Sequence, residues 1–231
     1  MNQLDPNILS VELVAAALGA LREELVLVGG CSVGLLITDQ ARPPVRQTID
    51  VDLVAEVTSK TEYYALCEKL RSCGFKESAD ADHMCRWNKG KLILDVMPSD
   101  ESVLGHSTNR WYPQAVQNAE RLILDCGLEI LVISPPLFLA TKLEAFYGRG
   151  GGDYGHHDME DIINVVDGRP EIIHEVTAAS DEVRGYLRHE FDELLADESF
   201  TDDIPQHFRP DTASQARVPI VIDRLRQLAG L

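Results

Sequence analysis

The sequence lacks the features that would place it in several common classes of protein. No apolar run approaches membrane-spanning length, and no basic segment precedes an apolar stretch near Met1, so we expect no signal peptide and no membrane contact. The five cysteines are an odd number without C-x-x-C spacing, which favours free, buried thiols in a reducing compartment. No internal repeat is present, and the glycine run at 148–152 is the one low-complexity tract. We therefore expect a cytoplasmic protein.

Positive charge is also scarce, with 21 lysines and arginines against 38 acids and a net charge of −17. A protein that grips nucleic acid broadly normally carries a basic footprint, which this chain lacks overall. Eleven acids lie between Glu171 and Asp203 beside two arginines, a pattern typical of a solvated helical surface. The sequence still allows a local basic groove, because most of its basic residues lie in the first two thirds of the chain. They include Arg42, Arg46, Arg86, Lys89, Lys91, Arg110, Arg121, Lys142 and Arg149.

Hydrophobic periodicity divides the 231 residues into two halves. Residues 1–133 alternate helices and strands and predict an α/β (α+β) half with a mixed sheet, whereas residues 134–231 predict an all-helical half. The predicted strands are 25–28, 48–54, a hairpin of 84–88 with 91–96, and 128–133. Residues 115–119 are predicted as strand or irregular structure. The predicted helices include 9–22, 59–72, 135–146, 157–166, 170–179, 181–196 and 212–228. Ser59 is predicted to cap the second of these helices.

A glycine turn and two alternating aspartates carry the first candidate site. Gly29 and Gly30 close an apolar strand ahead of a helix with Ser32 in its first turn, where backbone N–H groups can hold phosphate. Asp50 and Asp52 are two apart in the predicted strand 48–54, so they share one face. Two carboxylates this close repel each other unless a cation lies between them. Mg²⁺ is the natural cation, because it takes carboxylate oxygens and leaves room for substrate phosphates.

A third acid, Asp95, interrupts the apolar strand 92–97, where an unpartnered carboxylate is costly to bury. The order G-G-x-S, D-x-D and then a strand acid resembles the nucleotidyltransferase superfamily. That resemblance implies that Asp50, Asp52 and Asp95 bind Mg²⁺ or Mn²⁺, and that Asp95 also helps to activate an acceptor hydroxyl. Taken singly, each piece has a structural alternative: a plain turn, a solvated strand end, or a cap before Pro98.

The helical half contains a second constellation. Lys142 lies on an otherwise apolar helix, from which a lysine either reaches out to solvent or serves a phosphate. Asp158 and Asp161 are three apart on one helical face. Together, K-L-x-A, an arginine with glycines, and D-x-x-D-I resemble the AbiEii-type family of abortive-infection nucleotidyltransferases, over residues 25–170. We do not assign a transition-metal site to His156, His157 and Asp153, because adjacent histidines at a helix start point in different directions.

The resemblance implies an enzyme that moves a nucleoside monophosphate from an NTP to an acceptor and releases pyrophosphate. It makes Lys142 a triphosphate contact, Asp158 an organiser of the site and Asp161 a residue that orients Arg149 or Lys142, with the helical half completing the cleft. Gly29, Gly30 and Ser32 would cradle phosphates, and Arg46 or Lys142 would steady pyrophosphate. Thr48 either bonds within its loop or favours the strand.

Members of this family are toxins of type IV toxin–antitoxin systems, which implies tRNA or another RNA as acceptor and an antitoxin as partner. Two departures bear on the acceptor: His157 stands where a basic residue is common, and the chain is acidic. One alternative is therefore an enzyme with a small-molecule or protein acceptor, since negative charge attracts cationic substrates. Another is a catalytically silent module that binds a nucleotide or a protein partner.

Overall fold

The structure is a computed structural model, and it describes residues 5–39, 41, 45–78, 85–104 and 109–231. These residues form two compact units. The first contains residues 5–35 and 45–134, and the second contains residues 36–39, 41 and 135–231. The division into domains at 133/134 stays a prediction, and the short stretch after residue 35 groups with the second unit.

A mixed β-sheet forms the first unit. Its strands in chain order are β1 Leu25–Val28, β2 Val51–Ala55, β3 Lys76–Glu77, β4 Arg86–Lys89, β5 Leu92–Pro98, β6 Glu120–Ile123 and β7 Glu129–Val132. They lie in the order β3-β4-β5-β2-β1-β7-β6. β2 is antiparallel to β1 and parallel to β5, and β1 is parallel to β7. The mixed sheet predicted for this half is therefore confirmed.

Local sequence explains the elements at the centre of this unit. All four residues of β1 are buried, as expected for a central strand of continuous apolar residues. The neighbouring helices are α1 Pro6–Leu18, α2 Val33–Leu36, α3 Lys60–Ser72 and α4 Tyr112–Gln117. Ser59 caps α3 as predicted, since its hydroxyl accepts the Glu62 N–H at 3.3 Å.

Two predictions for this unit are wrong in detail. The strand predicted at 48–54 begins only at Val51, as β2. Thr48 and Asp50 therefore lie in the segment before the strand. Residues 115–119 contain the end of α4 and are followed by β6, which pairs with β7. β6 carries exposed charges and little apolar alternation, which is common for an edge strand and hides it from pattern analysis. The hairpin predicted as 84–88 with 91–96 is confirmed as β4 Arg86–Lys89 and β5 Leu92–Pro98, whereas Met84 lies outside the described residues.

Helices make up the second unit, as predicted. They are α5 Pro135–Ala145, α6 His157–Gly168, α7 Ile172–Ala178, α8 Asp181–Ala196, α9 Glu198–Asp203, α10 Thr212–Gln215 and α11 Val218–Ala229. The predicted helix 212–228 is divided in two, and Pro219 lies in the first turn of the second piece, where proline is tolerated. Within the described residues, no helix is long and apolar enough to cross a membrane.

The stretch after α2 is anchored to the carboxyl end of α6. The N–H groups of Thr38 and Asp39 both donate to the Gly168 carbonyl, at 3.0 and 2.9 Å. Arg217 then joins Asp39, at 2.6 Å, to the buried carboxylate of Asp167, at 2.9 Å. Residues 38–39 are thus held within the second unit.

Candidate active site

The glycine turn and the second aspartate of D-x-D form one packed feature. Gly29 has φ +67°, a conformation that residues with a side chain rarely adopt. A Cβ on Gly29 would lie 2.0 Å from Asp52 Oδ2 and 2.8 Å from Asp52 Cβ. The Asp52 side chain therefore packs directly on the glycine backbone. Gly30–Ser32 continue as a 3₁₀ turn, in which the buried Ser32 hydroxyl donates to the Gly29 carbonyl at 2.8 Å.

The three predicted metal ligands come together in the first unit. Asp52 and Asp95 are register partners on the parallel strands β2 and β5. Asp50 lies in the bend immediately before β2, so the argument from strand alternation does not apply to it. Asp95 is buried, whereas Asp50 and Asp52 are half-buried. The charges of all three carboxylates nevertheless interact with the guanidinium of one neighbour, Arg86.

Arg86 is the site residue that sequence reasoning missed, having considered it only as part of a basic groove. It lies on β4 directly opposite Asp95. Its Nε and Nη2 donate to Asp95 Oδ1 and Oδ2 at 2.8 and 2.7 Å, and Nη2 also donates to Asp50 Oδ2 at 2.5 Å. Hydrogen bonds to Asp95, and then the charges of all three aspartates, raise the pKa of Arg86. The guanidinium therefore neutralises part of the carboxylate cluster.

The loop before β2 is held by a buried asparagine that sequence analysis also missed. Asn7 Oδ1 accepts the Thr48 N–H at 2.9 Å, and Asn7 Nδ2 donates to the Arg46 carbonyl at 2.8 Å. Thr48 Oγ1 lies 2.8 Å from Cys31 Sγ, so the reading of Thr48 as a loop residue is confirmed. Burial raises the pKa of Cys31 to about 12, which makes this thiol a packing group at neutral pH.

The four charged residues of the second constellation meet in the helical unit. Residues 135–143 of α5 are all buried, and Lys142 Nζ lies 3.0 Å from Asp158 Oδ1 and 2.7 Å from Asp161 Oδ2. Arg149 holds the other side of Asp158, with Nε and Nη2 each 2.8 Å from a carboxylate oxygen. The side chain of Lys142 is 7% exposed and that of Arg149 is 59% exposed. Lys142 is therefore a partner of Asp161, and Arg149 is the more exposed of the two cations.

Burial and charge oppose each other in this cluster. Burial alone would raise the pKa of Asp158, but hydrogen bonds from Arg149 and the charge of Lys142 outweigh it and lower that pKa. Burial would likewise lower the pKa of Lys142, but the charges of Asp161 and Asp158 raise it overall. Both groups are therefore ionised at neutral pH. Each is paired with opposite charge, which is the condition under which proteins tolerate buried charges.

Two histidines lie at the start of α6, beside Asp158. The rings of His156 and His157 are 3.9 Å apart, so the prediction that they point in different directions is wrong. Together with Asp158 they offer ligand atoms within 4.8 Å of one another. However, Asp158 is already neutralised by two cations, and His156 Nδ1 accepts the Asp158 N–H at 3.2 Å. We therefore assign no metal site to this group.

One comparison with a solved structure identifies the fold, and two others are reported beside it. An antigenic nucleotidyltransferase-like protein from Paracoccidioides brasiliensis has a similar structure, with 21% identity, a TM-score of 0.51, and 92% of this chain and 98% of that chain covered. The antibiotic-resistance factor ANT(2'')-Ia overlaps with 14% identity, a TM-score of 0.49, and 82% and 92% covered. JHP933 from Helicobacter pylori overlaps with 12% identity, a TM-score of 0.46, and 99% and 94% covered.

Comparison of the sequence itself finds no match. No protein-family model matches the chain, and no curated protein matches it significantly. The chain has a nucleotidyltransferase-like fold, as predicted: a mixed sheet in the N-terminal half, followed by a helical C-terminal half.

Proposed function

We propose that this protein is a metal-dependent nucleotidyltransferase, which moves a nucleoside monophosphate from an NTP to an acceptor and releases pyrophosphate. One observation carries the proposal: three carboxylates cluster beside a glycine turn in a nucleotidyltransferase-like fold. Asp52 packs on Gly29, and Asp95 lies opposite Asp52 in the sheet. A scaffold without this chemistry has no need to gather three acids at one strand end, because they repel one another.

The residues fit a divalent cation. Carboxylate oxygens are the ligands that Mg²⁺ and Mn²⁺ prefer, and Asp50, Asp52 and Asp95 supply them. The guanidinium of Arg86, bound to two of the three, marks the place where this cluster accepts positive charge. When bound, the metal would neutralise phosphate oxygens and lower the pKa of the acceptor hydroxyl.

The chain's own groups supply the rest of the proposed site. Gly29 and Gly30 leave the turn without side chains, so phosphate oxygens can approach the backbone. Asp95 is the carboxylate we propose to orient the acceptor hydroxyl. Arg46 is half-buried in the loop that Asn7 holds, and we propose that it steadies the departing pyrophosphate, with Thr48 in the same loop as a nucleotide contact.

The AbiEii-type resemblance extends the proposal to Lys142, Asp158 and Asp161. It supports a catalytic role for Lys142 and Asp158, with Asp161 as a nucleotide-site residue. The contacts within the helical unit favour different roles for Lys142, Asp158 and Arg149. Lys142 is enclosed between Asp158 and Asp161, so it would hold Asp158, which in turn orients the exposed guanidinium of Arg149.

The same resemblance makes an RNA-modifying toxin, with tRNA or another RNA as acceptor and an antitoxin partner, the first candidate. The net charge of −17 favours a second candidate, an enzyme with a cationic small molecule or a protein as acceptor. A silent nucleotide-binding or partner-binding module is the candidate outside enzymology, and the intact aspartates argue against it.

The test compares the wild type with Asp52→Asn and a matched control, Asp125→Asn. Asp125 is an exposed residue between β6 and β7, and its substitution changes the charge of the same unit equally. Each α-labelled NTP is incubated with Mg²⁺, total RNA and cell lysate. Transfer should fall by more than about 100-fold in Asp52→Asn alone, since losing even an outer-shell partner of a metal costs about 10–100-fold.

The destination of the label separates the candidates. Label on RNA supports the toxin-like enzyme, and label on a small molecule or protein supports the second candidate. Equal transfer by the wild type and a folded Asp52→Asn variant contradicts the proposed site. Nucleotide binding without transfer to any acceptor contradicts the enzyme and supports the silent module.

A further inference from the structure

Arg86 binds two of the carboxylates that would hold a metal ion. Its Nη2 lies 2.5 Å from Asp50 Oδ2 and 2.7 Å from Asp95 Oδ2, so one nitrogen bridges two of the three proposed ligands. A divalent cation bound by the same two oxygens would repel the guanidinium at this distance. The inference below rests on the proposed metal-dependent function and concerns how the site is loaded.

The fold itself puts Arg86 there. β4 and β5 form a hairpin closed by Gly90 and Lys91, and its register sets Arg86 opposite Asp95. The next residue, Trp87, is 1% exposed and fixes the strand in the core. The Arg86 side chain is 27% exposed, so a path to solvent lies open to it. An arginine keeps its charge at any physiological pH, so it can leave the cluster only by moving.

We propose that Arg86 is a built-in counter-ion that competes with the divalent cation for Asp50 and Asp95. Without metal, its two-point contact with Asp95 and its bond to Asp50 hold the carboxylates together against their mutual repulsion. When metal binds, the guanidinium withdraws from both carboxylates. If the withdrawn state is about one tenth populated, the apparent metal affinity is about tenfold weaker than that of the open site.

The test is the binding of Mn²⁺ and Mg²⁺ alone, without nucleotide, to the wild type, Arg86→Gln and Arg121→Gln. Arg121 is the matched control: it lies on β6, at the other edge of the same sheet, and pairs with a half-buried glutamate, Glu129. Titration calorimetry gives the affinity. Tryptophan fluorescence gives the melting temperature of the first unit, which contains both tryptophans, Trp87 and Trp111.

Arg86→Gln should bind Mn²⁺ about tenfold more tightly than the wild type, whereas Arg121→Gln should match the wild type. In EDTA the melting temperature of Arg86→Gln should lie below that of the wild type, and metal should raise it by more than it raises the wild type. Weaker or unchanged metal affinity in Arg86→Gln, with binding intact in the wild type, overturns the inference and leaves the proposed function standing. Absence of binding in all three proteins overturns the metal site and this inference together.

If Arg86→Gln does not fold without metal, the wild type itself supplies the measurement. The Arg86 Nε–H donates to Asp95, so its NMR signal should exchange slowly with water, and Arg86→Lys assigns it by its loss. Saturating Mg²⁺ should accelerate that exchange by about tenfold or more, because the hydrogen bond is broken. A signal unchanged at saturating Mg²⁺ shows that Arg86 stays on Asp95, and it overturns the competition.

Discussion

Substituting alanine for Gly29 tests the packing of the glycine turn on D-x-D most directly. Two costs follow from the structure. At φ +67° and ψ −166°, a side chain strains the backbone by about 1–3 kcal/mol. The new Cβ would also lie 2.8 Å from Asp52 Cβ, which rotation of the carboxylate cannot relieve, and overpacking of this kind costs about 1–3 kcal/mol. We expect Gly29→Ala to destabilise the first unit by about 2–6 kcal/mol.

A double-mutant cycle separates the two costs. In an Asp52→Gly background, Gly29→Ala keeps the backbone strain but loses the overlap with Asp52. The difference between the two backgrounds should therefore be about 1–3 kcal/mol. Gly127→Ala is the control, because Gly127 also has a positive φ, +82°, and a Cβ there meets no atom within 4 Å. It should cost only about 1–2 kcal/mol.

Urea unfolding followed by tryptophan fluorescence is the assay, since both tryptophans are buried in the first unit. A Gly29→Ala cost no larger than that of Gly127→Ala, or a zero coupling with Asp52→Gly, would refute the contact between the turn and Asp52. Nucleotide transfer by Gly29→Ala should fall as well, because the displaced carboxylate is a proposed metal ligand.

Two further predictions concern the helical unit. Lys142→Met should destabilise it by about 3–5 kcal/mol, because it removes one partner of a buried ion-pair cluster; Arg226→Met, exposed on α11, should change stability by less than about 0.5 kcal/mol. Circular dichroism during urea unfolding measures both, and equal effects would contradict the buried cluster. Asp158 has a lowered pKa in the folded protein, so its stabilisation is present above its unfolded pKa of about 3.8 and is lost as pH falls further. Acid titration should show this loss in the wild type and a shallower one in Asp158→Asn, whereas superimposable acid limbs would count against the assignment.

Local patterns were enough to predict most of the elements. The apolar run of β1, the Ser59 cap of α3 and the helical spacing of the second half each depend on residues close in sequence, and all three are confirmed. The strand that was missed lies at an edge of the sheet. β6 presents exposed charges to solvent, so its sequence lacks the alternation of apolar and polar residues that predicts a strand. Only its pairing with β7 identifies it as one.

The sequence predicted that Asp50, Asp52 and Asp95 would lie together. It did not predict that Arg86 would bind two of them. Arg86 was visible in the sequence only as one of several basic residues. A signal did exist, because a two-residue turn at Gly90 and Lys91 sets the hairpin register and so pairs Arg86 with Asp95. Lys142 was identified as a functional candidate, but whether it reaches solvent depends on the packing of α5 among its neighbours.

The sequence by itself therefore determined which chemical groups are available and the kind of fold that carries them. Glycines, strand acids and helical periodicity are local properties, and each can be recognised from residues that are close in sequence. Only the tertiary structure decided which charges meet: Arg86 with Asp50 and Asp95, and Lys142 with Asp158 and Asp161. The physical reason is that an ion pair depends on strand register and helix packing, which many distant residues set together.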